Sequence, residues 1–100
     1  MKIWDLHCHL PSNRVPGETL SQQMGKMLEI AGRVGIERIG VFLKTELSDG
    51  PNSDDEVERA LTQYRGRVLG FVWCNLFDVQ KSIDNLKRWV RDGPMIGLKL

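Results

Sequence analysis

The sequence predicts an α/β fold, the N-terminal part of a (β/α)8 TIM barrel with about three βα units and a fourth strand in a parallel sheet. Short apolar runs alternate with amphipathic stretches, and these runs begin near residues 2, 38, 68 and 95. A barrel of about 250 residues averages about 31 residues per unit, which fits that spacing. A doubly wound open sheet is the main alternative, but it usually has a glycine-rich phosphate loop after its first strand. This chain has His7-Cys8-His9-Leu10-Pro11 there instead.

The first strand is predicted at residues 2–8, where polar and apolar side chains alternate with a period of two. Residues 10–18 have the proline and glycine content of a loop. A helix is expected to begin at Thr19, because Thr19-Leu20-Ser21-Gln22 has the spacing of a capping box. The apolar residues that share one face of this helix are Leu20, Met24, Met27, Leu28, Ala31 and Val34.

The second and third strands are predicted at residues 36–43 and 68–74. The former is almost continuously apolar, as buried parallel strands often are. Between them, Ser53-Asp54-Asp55-Glu56 resembles a second capping box and predicts another helix. The apolar stripe of that helix is formed by Val57, Ala60, Leu61 and Tyr64.

The last predicted helix runs from Asp78 to Arg91 and is followed by a strand at residues 95–100. Its expected buried face consists of Val79, Ile83, Leu86 and Val90. A final strand without a following helix leaves an apolar edge unpaired. Association with a second copy, an unstable fold and an incomplete gene model are the three alternatives for that edge.

The composition excludes several classes of protein. Fourteen Lys and Arg against thirteen Asp and Glu leave a net charge of +1, which gives no basic surplus for nucleic-acid or membrane-surface binding. No apolar run approaches the roughly 18 residues of a membrane span. Two cysteines are too few for a disulfide scaffold, and the charged start of the chain is unlike a signal peptide. We therefore expect a cytoplasmic protein.

The two histidines form the most informative motif. His7 and His9 are two positions apart on a predicted strand, so their rings should project from one face. Neutral imidazole binds zinc and similar divalent cations, and the carboxyl end of a barrel strand is where active sites form. Asp5 is predicted to share that face and to support the ligands by hydrogen bonding or weak ligation. The alternative is a pair of surface histidines on an edge strand.

Four segments together resemble the amidohydrolase-related family of metal-dependent TIM-barrel hydrolases. They are Trp4-Asp5-Leu6-His7-Cys8-His9-Leu10, Gly35-Ile36-Glu37-Arg38-Ile39, Gly70-Phe71-Val72-Trp73-Cys74-Asn75, and residues 92–100. The resemblance spans this chain but only the first half of a family member, so residues 1–100 would be the N-terminal portion of one truncated domain. TatD-like deoxyribonucleases and PHP-type phosphoesterases open similarly but fit less well around Leu10-Pro11 and before Lys99.

The resemblance implies a divalent metal, usually zinc, bound by the His-x-His motif of strand one. It also implies hydrolysis of an amide, lactone or ester bond of a small molecule by metal-activated water in the complete protein. Family members draw further histidines from strands five and six and an aspartate from strand eight. A metal-dependent non-oxidative decarboxylase of the same family and a catalytically incomplete, non-enzymatic fragment are the alternatives. A small-molecule substrate is the expected partner, and a homo-oligomer remains open.

Several other residues are candidates of lower weight. The resemblance makes Lys99 a candidate catalytic residue, because some branches of the superfamily carboxylate a strand-four lysine to bridge two metals. The alternative is an ammonium that reaches the pocket mouth or binds an anionic substrate. Asn75 ends the third strand, where it could orient substrate or form a turn. Cys8 should point away from the histidines and pack against a helix. Arg14 and Lys44 could contact an anionic group, and solvated charges are the default for both.

Overall fold

The computed structural model describes residues 3–10 and 15–100, which form an α/β structure with a curled, half-barrel sheet. The strands are β1 (Ile3–His9), β2 (Ile36–Leu43), β3 (Val68–Trp73) and β4 (Gly97–Lys99). They are parallel and lie in the order β1-β2-β3-β4, so each strand pairs with the next in sequence. The predicted parallel α/β architecture is thus confirmed for a sheet that has the curvature of a partial barrel.

Helices connect the strands on one side of the sheet. They are α1 (Leu20–Arg33), α2 (Asp54–Gln63) and α3 (Val79–Asn85), and α3 continues as π-helix over Leu86–Arg91. A short 3-10 turn occupies Glu46–Ser48. None of the helices in the described ranges is both long and apolar enough to cross a bilayer.

Side-chain caps fix where the first two helices begin. The Thr19 hydroxyl accepts a hydrogen bond from the Gln22 N–H, and the Gln22 side chain accepts one from the Thr19 N–H, so the predicted capping box is present. Ser53 caps α2 by accepting from the Glu56 N–H. The Glu56 carboxylate accepts from the backbone N–H of Leu20, which joins the first turns of the two helices.

The hydrophobic core lies between the helices and the convex face of the sheet. Its buried residues are Leu20, Met24, Leu28, Ala31, Ile39, Val41, Leu43, Val57, Ala60, Leu61, Val68, Val72, Cys74, Trp89 and Met95. The predicted apolar faces of the first two helices supply most of the helical contribution. Val34 is an exception, because it is the C-cap of α1 and is exposed.

The buried face predicted for the third helix is only partly correct, because Val90 packs against the core and Leu86 is half-buried, but the other two predicted residues are exposed. Val79 and Ile83 are exposed, whereas Asn85 and Trp89 are almost completely buried. At 3.6 residues per turn, Val79 and Ile83 lie about 120° and 160° around the helix from Asn85. The π-helical segment then changes the rotation per residue and carries Val90 back to partial contact with the core.

Both edge strands of the sheet expose large apolar side chains. Trp4 and Leu6 on β1 are each 49% exposed, and on the opposite edge Leu98 of β4 and the flanking Ile96 are also exposed. These side chains leave apolar surface exposed on both lateral edge strands of the sheet.

An irregularity in β1 sets the register of the first two strands. Asp5 pairs with Ile39 and Cys8 with Val41, so three steps along β1 match only two along β2. The extra residue forms a β-bulge. Gly40 lies against it, and a Cβ at this position would be 2.9 Å from both Cα and O of Leu6. The absence of a side chain at Gly40 therefore allows the bulged backbone to approach.

We expect Gly40→Ala to destabilise the protein by about 1–3 kcal/mol, because the added methyl overlaps the Leu6 backbone and the Phe71 ring. Denaturant unfolding measures this change. Gly32→Ala is the matched control, since Gly32 is in α1 with no atom within 4 Å of an added Cβ, and it should stabilise by about 0.5–1 kcal/mol. Equal effects of the two substitutions would contradict the close contact at Gly40.

Candidate metal centre

The two imidazole rings meet near the carboxyl end of β1. The Nε2 atoms of His7 and His9 are 3.2 Å apart, and the ring planes are inclined by 70°. Both residues are exposed, so a solute can reach them. At this separation, either one nitrogen donates a hydrogen bond to the other or both lone pairs converge on a cation. The predicted proximity of the rings is therefore present.

Phe42 supports both imidazoles. Its ring contacts His7 and His9 edge to face, with centroid distances of 4.7 and 5.1 Å. Phe42 is opposite His9 in the β1–β2 register and itself packs against Phe71 of β3. Sequence reasoning missed Phe42, although its place in strand two would have revealed it once the register was known. The rings form a cluster on the face of the sheet away from the helices.

Asp5 does not share the face of the histidines, which corrects its predicted position, while its role in supporting the metal ligands stays a prediction. It lines a cleft on the helix side together with Cys8, Met27 and Ile39. The cause is the β-bulge, because one extra residue between Asp5 and Cys8 brings both side chains to the same side of the strand. The Asp5 carboxylate nevertheless accepts a hydrogen bond of 3.0 Å from the backbone N–H of His7. Asp5 therefore holds the backbone of the bulge.

Cys8 packs against the hydrophobic core, as predicted, and is half-buried. Burial first, and then the charge and hydrogen bonding of Asp5, raise the pKa of its thiol from 9.0 to about 11. A thiol with such a pKa is almost entirely protonated at neutral pH and is a poor nucleophile and metal ligand.

Lys99 lies on the same side of the sheet as the imidazoles. It pairs with Trp73 in the β3–β4 register, and its Nζ is 5.2 Å from the centroid of the Phe42 ring. The lysine ammonium and both imidazoles therefore contact one aromatic ring. The metal-bridging role that the resemblance implies for Lys99 stays a prediction.

Lys44 and Asn75 border a neighbouring cleft of about 200 Å³ at the carboxyl ends of β2 and β3. The Lys44 ammonium lies 5.0 Å over the Trp73 ring. Asn75 accepts a hydrogen bond from the Phe77 N–H, which is the turn role considered for it, and its side chain also reaches the cleft. Arg14 lies outside the described residues.

A buried polar network forms the floor of this cleft, and sequence reasoning missed it. The Thr45 hydroxyl donates to the Asn85 side-chain oxygen at 2.6 Å, and the Asn85 amide donates to the Ser48 hydroxyl at 3.3 Å. Ser48 in turn donates to the backbone carbonyl of Trp73. These bonds connect the loop after β2 to α3 and to the end of β3. Asn85 stands between Asp84 and Leu86, so its sequence neighbours gave no clear signal that it would be buried.

A second groove, of about 330 Å³, lies at the carboxyl ends of β1 and β2. His9, Phe42, Lys44 and the buried Asn52 are among the residues that line it. Lys44 borders both this groove and the neighbouring cleft. His9 thus borders a space of small-molecule size at the carboxyl ends of the strands, where parallel α/β proteins bind ligands.

The donor set fits a divalent cation in part. Two imidazole nitrogens that bind one tetrahedral zinc ion at about 2.0–2.1 Å each are about 3.3 Å apart, close to the Nε2 separation here. The described residues contain no group of three or more histidine, cysteine or acidic side chains that could hold a metal. Catalytic zinc usually has three protein ligands, so His7 and His9 supply only part of such a set.

Comparison with protein-family models, with curated proteins and with solved structures finds no match to this chain. The chemistry of the centre is therefore inferred from its own residues.

The rate of Cys8 alkylation tests whether Asp5 lies on the same side of β1 as the Cys8 thiol. In a Cys74→Ser background, iodoacetamide should react with Cys8 at pH 8 about 100-fold more slowly than with a thiol of pKa 9.0, because the thiolate is the nucleophile. Asp5→Asn removes a negative charge that disfavours the thiolate, so it should lower the pKa and accelerate alkylation.

The remote Asp92→Asn substitution serves as the control and should leave the Cys8 rate unchanged. In Asp5→Asn the side-chain amide oxygen can still accept from the His7 N–H, so the bulge should persist. Identical rates with Asp5 and with Asp5→Asn would show that Asp5 does not act on the thiol.

Proposed function

We propose that the complete protein is a metal-dependent hydrolase that cleaves an amide, lactone or ester bond of a small molecule. The observation that carries the proposal is the 3.2 Å separation of the His7 and His9 Nε2 atoms in an exposed position at the end of a parallel strand. Zinc fits an imidazole pair at this separation, because two tetrahedral zinc–nitrogen bonds place the nitrogens at about 3.3 Å. The Phe42 ring supports the proposal because it packs against both imidazoles and restricts their orientation.

In this proposal the protein residues bind the cation and orient the substrate. His7 and His9 hold the cation through Nε2, and Asp5 fixes the backbone of His7 from the far side of the strand. When bound, such a cation lowers the pKa of a water molecule and polarises the scissile carbonyl. The groove beside His9 would receive the substrate, with Lys44 at its border.

The fold of the complete protein is also part of the proposal. A closed (β/α)8 barrel would extend the curled sheet from both edges and cover the apolar side chains exposed on β1 and β4. The resemblance to the amidohydrolase-related family would place further histidines on strands five and six and the aspartate base on strand eight. Those ligands would complete a catalytic site that the described residues begin.

Calorimetric titration of the 100-residue chain with zinc tests the metal site. We expect His7→Ala and His9→Ala each to weaken zinc binding by about tenfold or more, because each substitution removes one of two nitrogen ligands. Cys8→Ala and Asn75→Ala are the controls, and both should bind zinc like the unchanged chain.

Circular dichroism of each variant separates loss of a ligand from loss of the fold. Equal zinc affinity in the unchanged chain and both histidine variants would refute the ligand assignment. A loss of affinity in Cys8→Ala that matched the histidine variants would instead indicate a different site.

A further inference from the structure

Lys99 and the two histidines share one aromatic ring. The Lys99 ammonium is 5.2 Å from the Phe42 centroid, and the centroids of His7 and His9 are 4.7 and 5.1 Å from it. Lys99 comes from the other edge strand of the sheet, so its side chain extends across the concave face towards β2. The ring holds the ammonium by cation–π attraction.

The charge of Lys99 has no acidic partner within the described part of the chain. Asp5 is the acidic residue closest in sequence to the histidines, and it lies on the helix side of the sheet. A protonated lysine amine has no lone pair to offer a metal. A divalent cation held by the imidazoles would therefore meet a like charge on the same face.

We propose that Lys99 is an internal cation that opposes metal loading of the His7–His9 pair, with Phe42 as the platform that keeps the ammonium close. This inference rests on the proposed metal binding by the histidines. Zinc then binds with displacement of the Lys99 ammonium from the Phe42 ring, and the lysine sets how tightly the pair retains its metal. A lysine that acted as a metal ligand would have the opposite effect on affinity.

The test is the zinc affinity of Lys99→Met, measured by calorimetry at low ionic strength. Removal of the charge should strengthen zinc binding about 3- to 10-fold, because the ammonium and the bound cation, both next to the Phe42 ring, repel each other. Lys99→Arg keeps the charge and should bind like the unchanged chain. Lys87→Met, on the exposed π-helical segment, changes the net charge equally and should have no effect.

The same zinc titration, repeated at several ionic strengths, gives a second prediction. The gain in Lys99→Met should shrink as salt rises from about 0.02 M to about 0.5 M, because mobile ions screen the repulsion. Unchanged or weaker zinc binding in Lys99→Met at low salt would overturn the proposal. An equal gain in Lys87→Met would also overturn it, since the effect would then come from net charge alone.

Proton NMR of the unchanged chain provides a readout that needs no variant. The Lys99 ammonium is 5.2 Å from the Phe42 ring centroid, so the adjacent ε-methylene protons should resonate upfield, and zinc should move them towards the shift of a free lysine. Upfield resonances that persist at saturating zinc would overturn the displacement. If His7→Ala binds zinc as tightly as the unchanged chain, the metal site itself fails, which is distinguishable from a failure of Lys99 alone.

Discussion

The bulge in β1 is the constraint on which the candidate centre depends. A regular strand would place Asp5, His7 and His9 on one face, and an acidic side chain would then lie beside the imidazoles. The extra residue separates them, and Gly40 makes room for the displaced backbone. Asp5 thereby becomes a backbone support, and the imidazoles are left with aromatic neighbours and a lysine.

Aromatic rings are the neighbours of both lysines on this side of the sheet. Phe42 and Phe71 pack edge to face, and Lys44 and Lys99 each place an ammonium near a ring. Ring faces attract cations without neutralising them, so both lysines keep their charge. The cleft at Lys44 is also lined by Asp49 and Asp78, whereas Lys99 has no acidic partner among the described residues.

The sequence was sufficient where local chemistry decides the structure. The capping residues Thr19 and Ser53 predicted where two helices begin, and strand spacing predicted the parallel order. The bulge could not be predicted, because it depends on contact with Gly40, 34 positions from Leu6. The buried face of the third helix could not be predicted for a similar reason. Its apolar stripe was clear in the sequence, but the burial of Asn85 depends on hydrogen bonds with Thr45 and Ser48, which are distant in sequence.

The polar network of Thr45, Asn85 and Ser48 also anchors the loop at the carboxyl end of β2, next to the candidate site. Thr45 is fully buried, and its hydroxyl bond to Asn85 anchors the loop after β2 to α3. The next residue towards β2 is Lys44, whose backbone packs against Gly50 so closely that a Cβ there would be 2.8 Å away. The loop is therefore held at Lys44 and at Thr45 before any ligand binds. Preorganisation of this kind lowers the entropy lost on binding, so the groove beside His9 has one wall whose geometry is already set.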